Sequence, residues 1–265
     1  MQFRLCFCVL LIIFLAAPFA SAEWMVTNYY TLDETTGTTA YDSVGTYNGT
    51  LTTIGETGSF TFDDASVTGT VGNALEFTGN DNQLVSLGDD VLTVGTDDFK
   101  ISMWIKRSSI GTYQGLWGQH SLDEGADHSM WARIQDTNVV RLCIDMGTGT
   151  GASLNITSLT PITDTTSWHQ LEFERTYSAE NDETTYAIYL DGSFDGSAVH
   201  SGIPYDISGD DGTVLGSYTP TTDRTFNGLI DDVKIYANVV PEPSTIILMG
   251  FGLLGLLGLR LRRFV

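Results

Sequence analysis

Cysteine is almost missing from this chain. There are three. Cys6 and Cys8 fall in an apolar N-terminal stretch that reads as removable, which leaves Cys143 alone and excludes an intramolecular disulfide from the mature body. An exported protein of this size then relies on core burial, on metal, or on both. Cys143 stands in the strand-like run VVRLCIDM and reads as a small buried hydrophobe. Positive charge is also scarce, with 12 Lys and Arg against 33 Asp and Glu and a net charge of −21. Four of those cations, Arg4, Arg260, Arg262 and Arg263, lie at the two ends, and Glu242 is the one acid outside the middle. Residues 23–240 therefore carry 8 cations against 32 acids. Such a body repels nucleic acid and anionic membrane surfaces, so cations, neutral sugars and other proteins are the partners it leaves open. A helical period is missing from the body as well. His120, His128, His169 and His200 have no metal-ligand spacing, which argues against transition metals. Neither a nucleophile-elbow motif nor a phosphate-cradling glycine loop occurs.

The two ends are apolar and mildly basic. Arg4 supplies a positive start, residues 5–17 a short apolar core, and Ala20-Ser21-Ala22 a small-residue cleavage site before Glu23. Together they predict a cleaved signal peptide over residues 1–22, with Ala22 at the cut. At the other end, residues 245–259 are apolar or Gly after the first Thr. As a helix this run spans about 23 Å, short of the ~30 Å hydrocarbon core of a bilayer. Its four glycines weaken a helix but permit close helix contact. Arg260, Arg262 and Arg263 would remain on the cytoplasmic side. Pro241-Glu242-Pro243 just before the run holds the chain extended, as a protease that reads a strand-like peptide requires. In order and position these three elements closely resemble the PEP-CTERM sorting signal, assigned here to residues 240–265. The resemblance implies an exosortase-type protease as partner and cleavage near Pro241–Pro243. It also implies transient insertion in the inner membrane of a Gram-negative-type bacterium, then delivery to the cell surface or the medium. A plain tail anchor is the alternative.

Between the ends, apolar residues alternate with a period of two. NALEFTG, FKISMWIKRS, VVRLCIDM, HQLEFERTY, TTYAIYLDG and LIDDVKIYANV all do so, and Gly, Asn and Asp clusters such as TGNDN, LDGS and ISGDDG separate such runs. Ile101, Met103 and Ile105 share one face of their run. In the last run, strict alternation puts Asp231 with Val233 and Ile235, and Asp232 with Ile230 and Lys234. Many short strands with turn signals between them predict an all-β sandwich or barrel, and one domain over residues 23–239 is the simplest division.

The ordered set YYTLDETTGTTAYDSVGTYNGTL, GNALEFTGNDNQLVSLGDD, DDFKISMWIKRS, SWHQLEFERTYSAENDETTYAIYLDGS and RTFNGLIDDVKIYANVV resembles laminin G-like, concanavalin A-like jelly-roll domains. The resemblance implies two antiparallel sheets packed face to face with the chain ends close together. It also implies one structural calcium where the opening loop meets the closing strand, with Asp42, Asn48 and Asp231 or Asp232 as ligands. Calcium takes six to eight oxygen ligands, so carboxylates and backbone carbonyls there suit it. DISGDDG departs from a calcium-loop pattern and reads as an acidic turn.

Glycosidases of this shape need paired carboxylates, in a Glu-x-Asp-x-x-Glu motif that is absent here. Glu172 and Glu174 are the nearest pair, on a strand the resemblance makes structural. Sugar recognition needs flat aromatic faces beside polar groups. The candidate positions are Trp117 and Trp131, which flank an acidic, His-bearing loop, and the turn at Asn80 and Asp81. The expectation is an exported, non-catalytic binding or adhesion protein of the cell surface or exopolysaccharide matrix, with polysaccharide or a surface protein as partner. A divergent glycan-active enzyme and a purely structural matrix protein are the alternatives.

Overall fold

The alternating runs become strands. A computed structural model describes residues 23–55, 59–79, 82–89, 91–92, 94–119, 128–146, 153–207, 212–218 and 225–239. Its elements in chain order are β1 (Glu23–Tyr30), β2 (Thr39–Ala40), β3 (Gly49–Thr53), a single helical turn α1 (Phe62–Ala65), β4 (Ser66–Thr68), β5 (Asn73–Thr78), β6 (Gln83–Gly88), β7 (Phe99–Arg107) and β8 (Gln114–Gln119). Then follow β9 (His128–Ile134), β10 (Val140–Met146), β11 (Ser153–Thr157), β12 (His169–Ser178), β13 (Glu183–Leu190), β14 (Ser193–Ser201), β15 (Thr213–Leu215) and β16 (Asn227–Val239).

Among the described residues these strands form two eight-stranded sheets. The first runs β14-β13-β12-β7-β16-β5-β4, with β1 also on β16, and the second β11-β10-β9-β8-β15-β6-β3-β2. The first strand and the last are therefore neighbours, and the Thr27 hydroxyl donates to the Ile235 carbonyl at 3.3 Å. The chain divides into two compact units, residues 26–237 and residues 1–25 with 238–265. The first holds both sheets; of the second only residues 23–25 and 238–239 are described. The signal peptide with Ala22, and the tail with Pro241, Glu242, Pro243, Arg260, Arg262 and Arg263, lie outside the described residues. Among the described residues no helix is long and apolar enough to cross a membrane.

The inner faces supply the core. Ile101, Met103 and Ile105 of β7 are all fully buried, and so are Leu171 and Phe173 of β12. From the second sheet come Met130, Ala132 and Ile134 of β9 and Leu142 and Ile144 of β10. Period two puts these residues on one side of each strand, and burial of apolar area holds the sheets together. The stripe on β12 continues into Arg175, also fully buried. Its guanidinium donates to the carbonyls of Gly95 (2.9 Å), Tyr205 (2.9 Å) and Asp97, and lies over the Phe99 ring. Burial pulls its pKa down, and nearby Tyr186 offsets part of that.

One face assignment from strict alternation is corrected. Ile230, Val233 and Ile235 all point into the core. β16 carries a bulge: Asp231 stands opposite Trp104 and Lys234 opposite Ser102, so three steps on β16 match two on β7. Asp232 sits in the bulge with φ 51°. The extra residue resets the alternation, so Asp231 lies on the face opposite Val233 and Ile235 rather than beside them.

Candidate functional site

The expected calcium ligands fall into two places. Asp42 forms an isolated bridge with Tyr30, and its carboxylate gathers the opening loop. Oδ1 accepts the backbone N–H of Tyr29 (2.9 Å), Gly45 (2.9 Å) and Val44 (3.2 Å). Oδ2 accepts Asn28 Nδ2 (2.8 Å) and the Tyr47 N–H (3.3 Å). Asn48 Oδ1 accepts the Asp42 N–H at 2.9 Å. Partial burial would raise the Asp42 pKa, but the donors from Tyr29, Gly45, Asn28 and Val44 outweigh it and hold the carboxyl below its ordinary value. A carboxylate has about four lone-pair sites, and here five donors occupy them. Asp42 therefore does not fit a metal in this arrangement.

Asp231 is different. It is fully buried although it faces away from the core, because the turn after β4 covers it. Oδ2 accepts the Thr70 N–H at 2.6 Å and the Thr70 hydroxyl at 2.7 Å, while Oδ1 is buried with no partner. Burial pushes the Asp231 carboxyl up, against the pull of Thr70, and neighbouring Asp232 adds to the rise. Asp232 accepts the Tyr29 hydroxyl, and Lys234 Nζ lies 4.4 Å from the centroid of the Tyr29 ring. Among the described residues no group of three or more His, Cys, Asp or Glu side chains is placed to hold a metal ion together.

The two candidate tryptophans separate. Trp117 stands opposite Ala132 and is fully buried in the core, its Nε1 without a partner. A bulge between Gly115 and Trp117 on β8 directs it there. Trp131 stands opposite Gly118 of β8 and Cys143 of β10, on the other face of the same sheet. Asn80, Asp81 and the loop at 120–127 lie outside the described residues.

Around Trp131 the outer face is aromatic and cationic. Tyr218 packs against the Trp131 ring at 5.6 Å between centroids. The Arg133 guanidinium lies 4.7 Å from the Tyr113 centroid, 4.8 Å from Trp131 and 5.5 Å from Tyr218. Arg141 lies directly across the strand pair from Arg133 and 5.8 Å from the Trp131 centroid. It donates to Asn155 Oδ1 from Nε at 2.9 Å and from Nη2 at 2.5 Å. Gly118 keeps the floor low: a Cβ there would stand 2.4 Å from the Tyr218 carbonyl oxygen. Cys143, opposite both Trp131 and Asn155, is buried beneath these side chains, and burial pushes its thiol up.

Residue-by-residue reading singled out Trp131 and missed Tyr113, Arg133, Arg141, Asn155 and Tyr218. Period two does put Trp131 with Arg133, and Arg141 with Cys143, on shared faces. What joins the two strands is the hairpin turn at 135–139, closed by Gln135 N–H to Val139 O at 2.9 Å. Buried Arg107 braces that turn by donating to Asn138 Oδ1 at 3.0 Å, and burial lowers its pKa to about 10 against an opposing effect of Asp164.

The family profile described as Concanavalin A-like lectin/glucanases superfamily matches residues 78–244. The chain belongs to this superfamily. Its sheets include strands from residues 23–77 as well, outside the matched range. A second profile, the PEP-CTERM protein-sorting motif, matches residues 239–263. That motif marks the chain for exosortase processing, export and surface targeting in bacteria. Comparison with curated proteins finds no match. Among solved structures, this superfamily member is similar to domain 4 of AbnA, a GH43 extracellular arabinanase from Geobacillus stearothermophilus, in complex with arabinotriose. The identity is 20%, over 84% of this chain and 97% of that one, with a TM-score of 0.61. It is also similar to the Trypanosoma rangeli sialidase in complex with the inhibitor DANA, at 13% identity over 83% of this chain and 31% of that one, with a TM-score of 0.50. Both likenesses concern the fold.

Proposed function

We propose that this is a non-catalytic glycan-binding protein of the bacterial surface or exopolysaccharide matrix, and that the outer face around Trp131 is its binding site. The supporting observation is the packing of Trp131, Tyr218 and Tyr113 about Arg133, with Arg141 and Asn155 adjoining. Flat rings stack on sugar faces, and the neighbouring guanidinium and amide groups meet hydroxyls. The arabinotriose complex of the Geobacillus domain is consistent with sugar binding on this fold.

The carboxylate pair Glu172 and Glu174 belongs to the first sheet, away from this face. Lys100 Nζ lies 3.6 Å from Glu172, and burial raises the Glu174 pKa against the pull of Lys100. The proposal gives this pair a structural role.

The test is affinity electrophoresis of the full chain through gels that carry individual neutral and acidic polysaccharides. Retardation by at least one, with Trp131→Ala weakening it about tenfold at unchanged circular dichroism, is expected. Mobility that no polysaccharide alters would refute the binding role.

Structural calcium enters the proposal at Asp231, whose free buried oxygen would supply one ligand, the others having to come from backbone carbonyls and water. Calcium would then raise the melting temperature of the protein, and Asp231→Asn would remove the increase. A melting temperature indifferent to both calcium and chelator counts against the site.

A further inference from the structure

The arginine pair on the outer face carries the reading further, to the chemistry of the ligand; it rests on the proposed glycan site. Arg133 and Arg141 are direct cross-strand partners in a non-core register position. Side chains so placed have Cβ atoms about 4.5–5.5 Å apart, and like charges there repel. The body holds 8 cations against 32 acids, so two adjoining arginines are not a by-product of composition. Three other cations have protein partners: Arg107 and Arg175 bond to backbone carbonyls inside the fold, and Lys100 faces Glu172. Among the described residues neither Arg133 nor Arg141 forms an ion pair with a carboxylate. Asp145 is on the same face of β10, two positions beyond Cys143, and stands opposite Ser129 and Ser153 instead.

The mode of packing leaves donors available. Arg133 is held by ring contacts, which use the flat face of its guanidinium and not its N–H groups. Arg141 spends Nε and Nη2 on the neutral oxygen of Asn155, which fixes its plane without neutralising it. Two oriented, uncompensated guanidiniums beside stacking rings match a planar carboxylate on a sugar ring.

We infer that the site recognises an acidic polysaccharide, with the paired guanidiniums of Arg133 and Arg141 receiving the carboxylate of a uronic acid residue while Trp131 stacks on the ring. Long-range attraction plays no part, since the acidic body repels such a polymer. The recognition is by contact, so the carboxylate must reach the arginines directly.

The experiment compares the full chain on polygalacturonate and on the same polymer after carboxyl reduction to the neutral sugar. Preference for the charged polymer of about tenfold or more is expected, because charge-assisted hydrogen bonds are the strong ones. Arg141→Gln should bring the ratio of the two affinities close to one, and Arg141→Lys should retain part of the preference. The conservative variant, with melting temperature as a control, covers the case of a poorly folded Gln variant. Equal affinity of the wild type for both polymers overturns the inference and leaves the glycan-binding role standing. Binding to neither, or a preference that all three proteins share, overturns it too, while the glycan-binding role is decided by the wider set of polysaccharides.

Discussion

Asp42 shows how one side chain can replace a stretch of regular structure. Its five accepted hydrogen bonds tie β1 to the loop that follows, where the chain has no ladder of its own. Asp42→Ala should cost about 1–3 kcal/mol in denaturant unfolding, because several N–H groups lose their acceptor at once. The same loss is expected with calcium and with chelator, since its oxygens serve the backbone. Its folded pKa lies below the unfolded value, so its stabilisation is present above about pH 4 and disappears as pH falls through the folded value.

His169 behaves in the opposite sense. Asp191 Oδ2 stands 2.8 Å from Nδ1 and Asp164 Oδ2 2.9 Å from Nε2, so both ring nitrogens face carboxylates. Partial burial lowers its pKa, but these two partners outweigh burial and the net shift is upward, while the His169 contact draws the Asp164 carboxyl down. A raised histidine stabilises fully below its unfolded pKa of about 6.5 and ceases to do so as pH rises through the folded value. The melting-temperature gap between wild type and His169→Gln should therefore be wide near about pH 5.5 and narrow by about pH 9. A gap that is constant with pH would mean the imidazole is neutral between its two aspartates.

β8 and β16 are strands whose irregularities matter more than their regular parts. The bulge in β8 sends Trp117 inward and leaves Gly118 on the outer side of the sheet, buried beneath Tyr218. The bulge in β16 holds Asp232 in the left-handed region and returns Val233 to the core. Both are local insertions that re-aim side chains. Gly118→Ala tests the first. A methyl 2.4 Å from the Tyr218 carbonyl must displace backbone, so the Tyr218 ring should leave Trp131. Polysaccharide affinity should fall several-fold while the core-dominated melting temperature moves by a few degrees. Full affinity in this variant would separate Tyr218 from the site.

Export governs the molecule as a whole. A 265-residue chain with net charge −21 holds 12 cations, of which Arg133 and Arg141 stand together at Trp131. Its sorting motif at 239–263 begins where β16 ends. Removal of the tail there leaves Asn227–Val239 to complete the first sheet. Intact mass of the protein from its native host should show a species starting at Glu23 and ending near Pro241–Pro243, at the surface or in the medium. A species that keeps Arg260–Val265 in the inner membrane would make the tail an anchor and place the glycan site at the periplasmic face.

Much of this was open to reading along the chain. Alternation is a local property, so NALEFTG, FKISMWIKRS and HQLEFERTY announce β5, β7 and β12, and Ile101, Met103 and Ile105 announce the core. Signal and sorting motifs are linear and are read by proteins that bind extended chain. Properties that depend on pairing were hidden. That Trp117 faces inward turns on a bulge of one residue in β8, and a one-residue slip moves every later side chain to the opposite face. Arg133 and Arg141 become neighbours through the register of a hairpin, and Tyr218 reaches them from 77 positions beyond Arg141 by way of β15. The resemblance to laminin G-like domains implied Asp42 as a calcium ligand. In the fold five donors occupy its two oxygens, which leaves no lone pair for a metal.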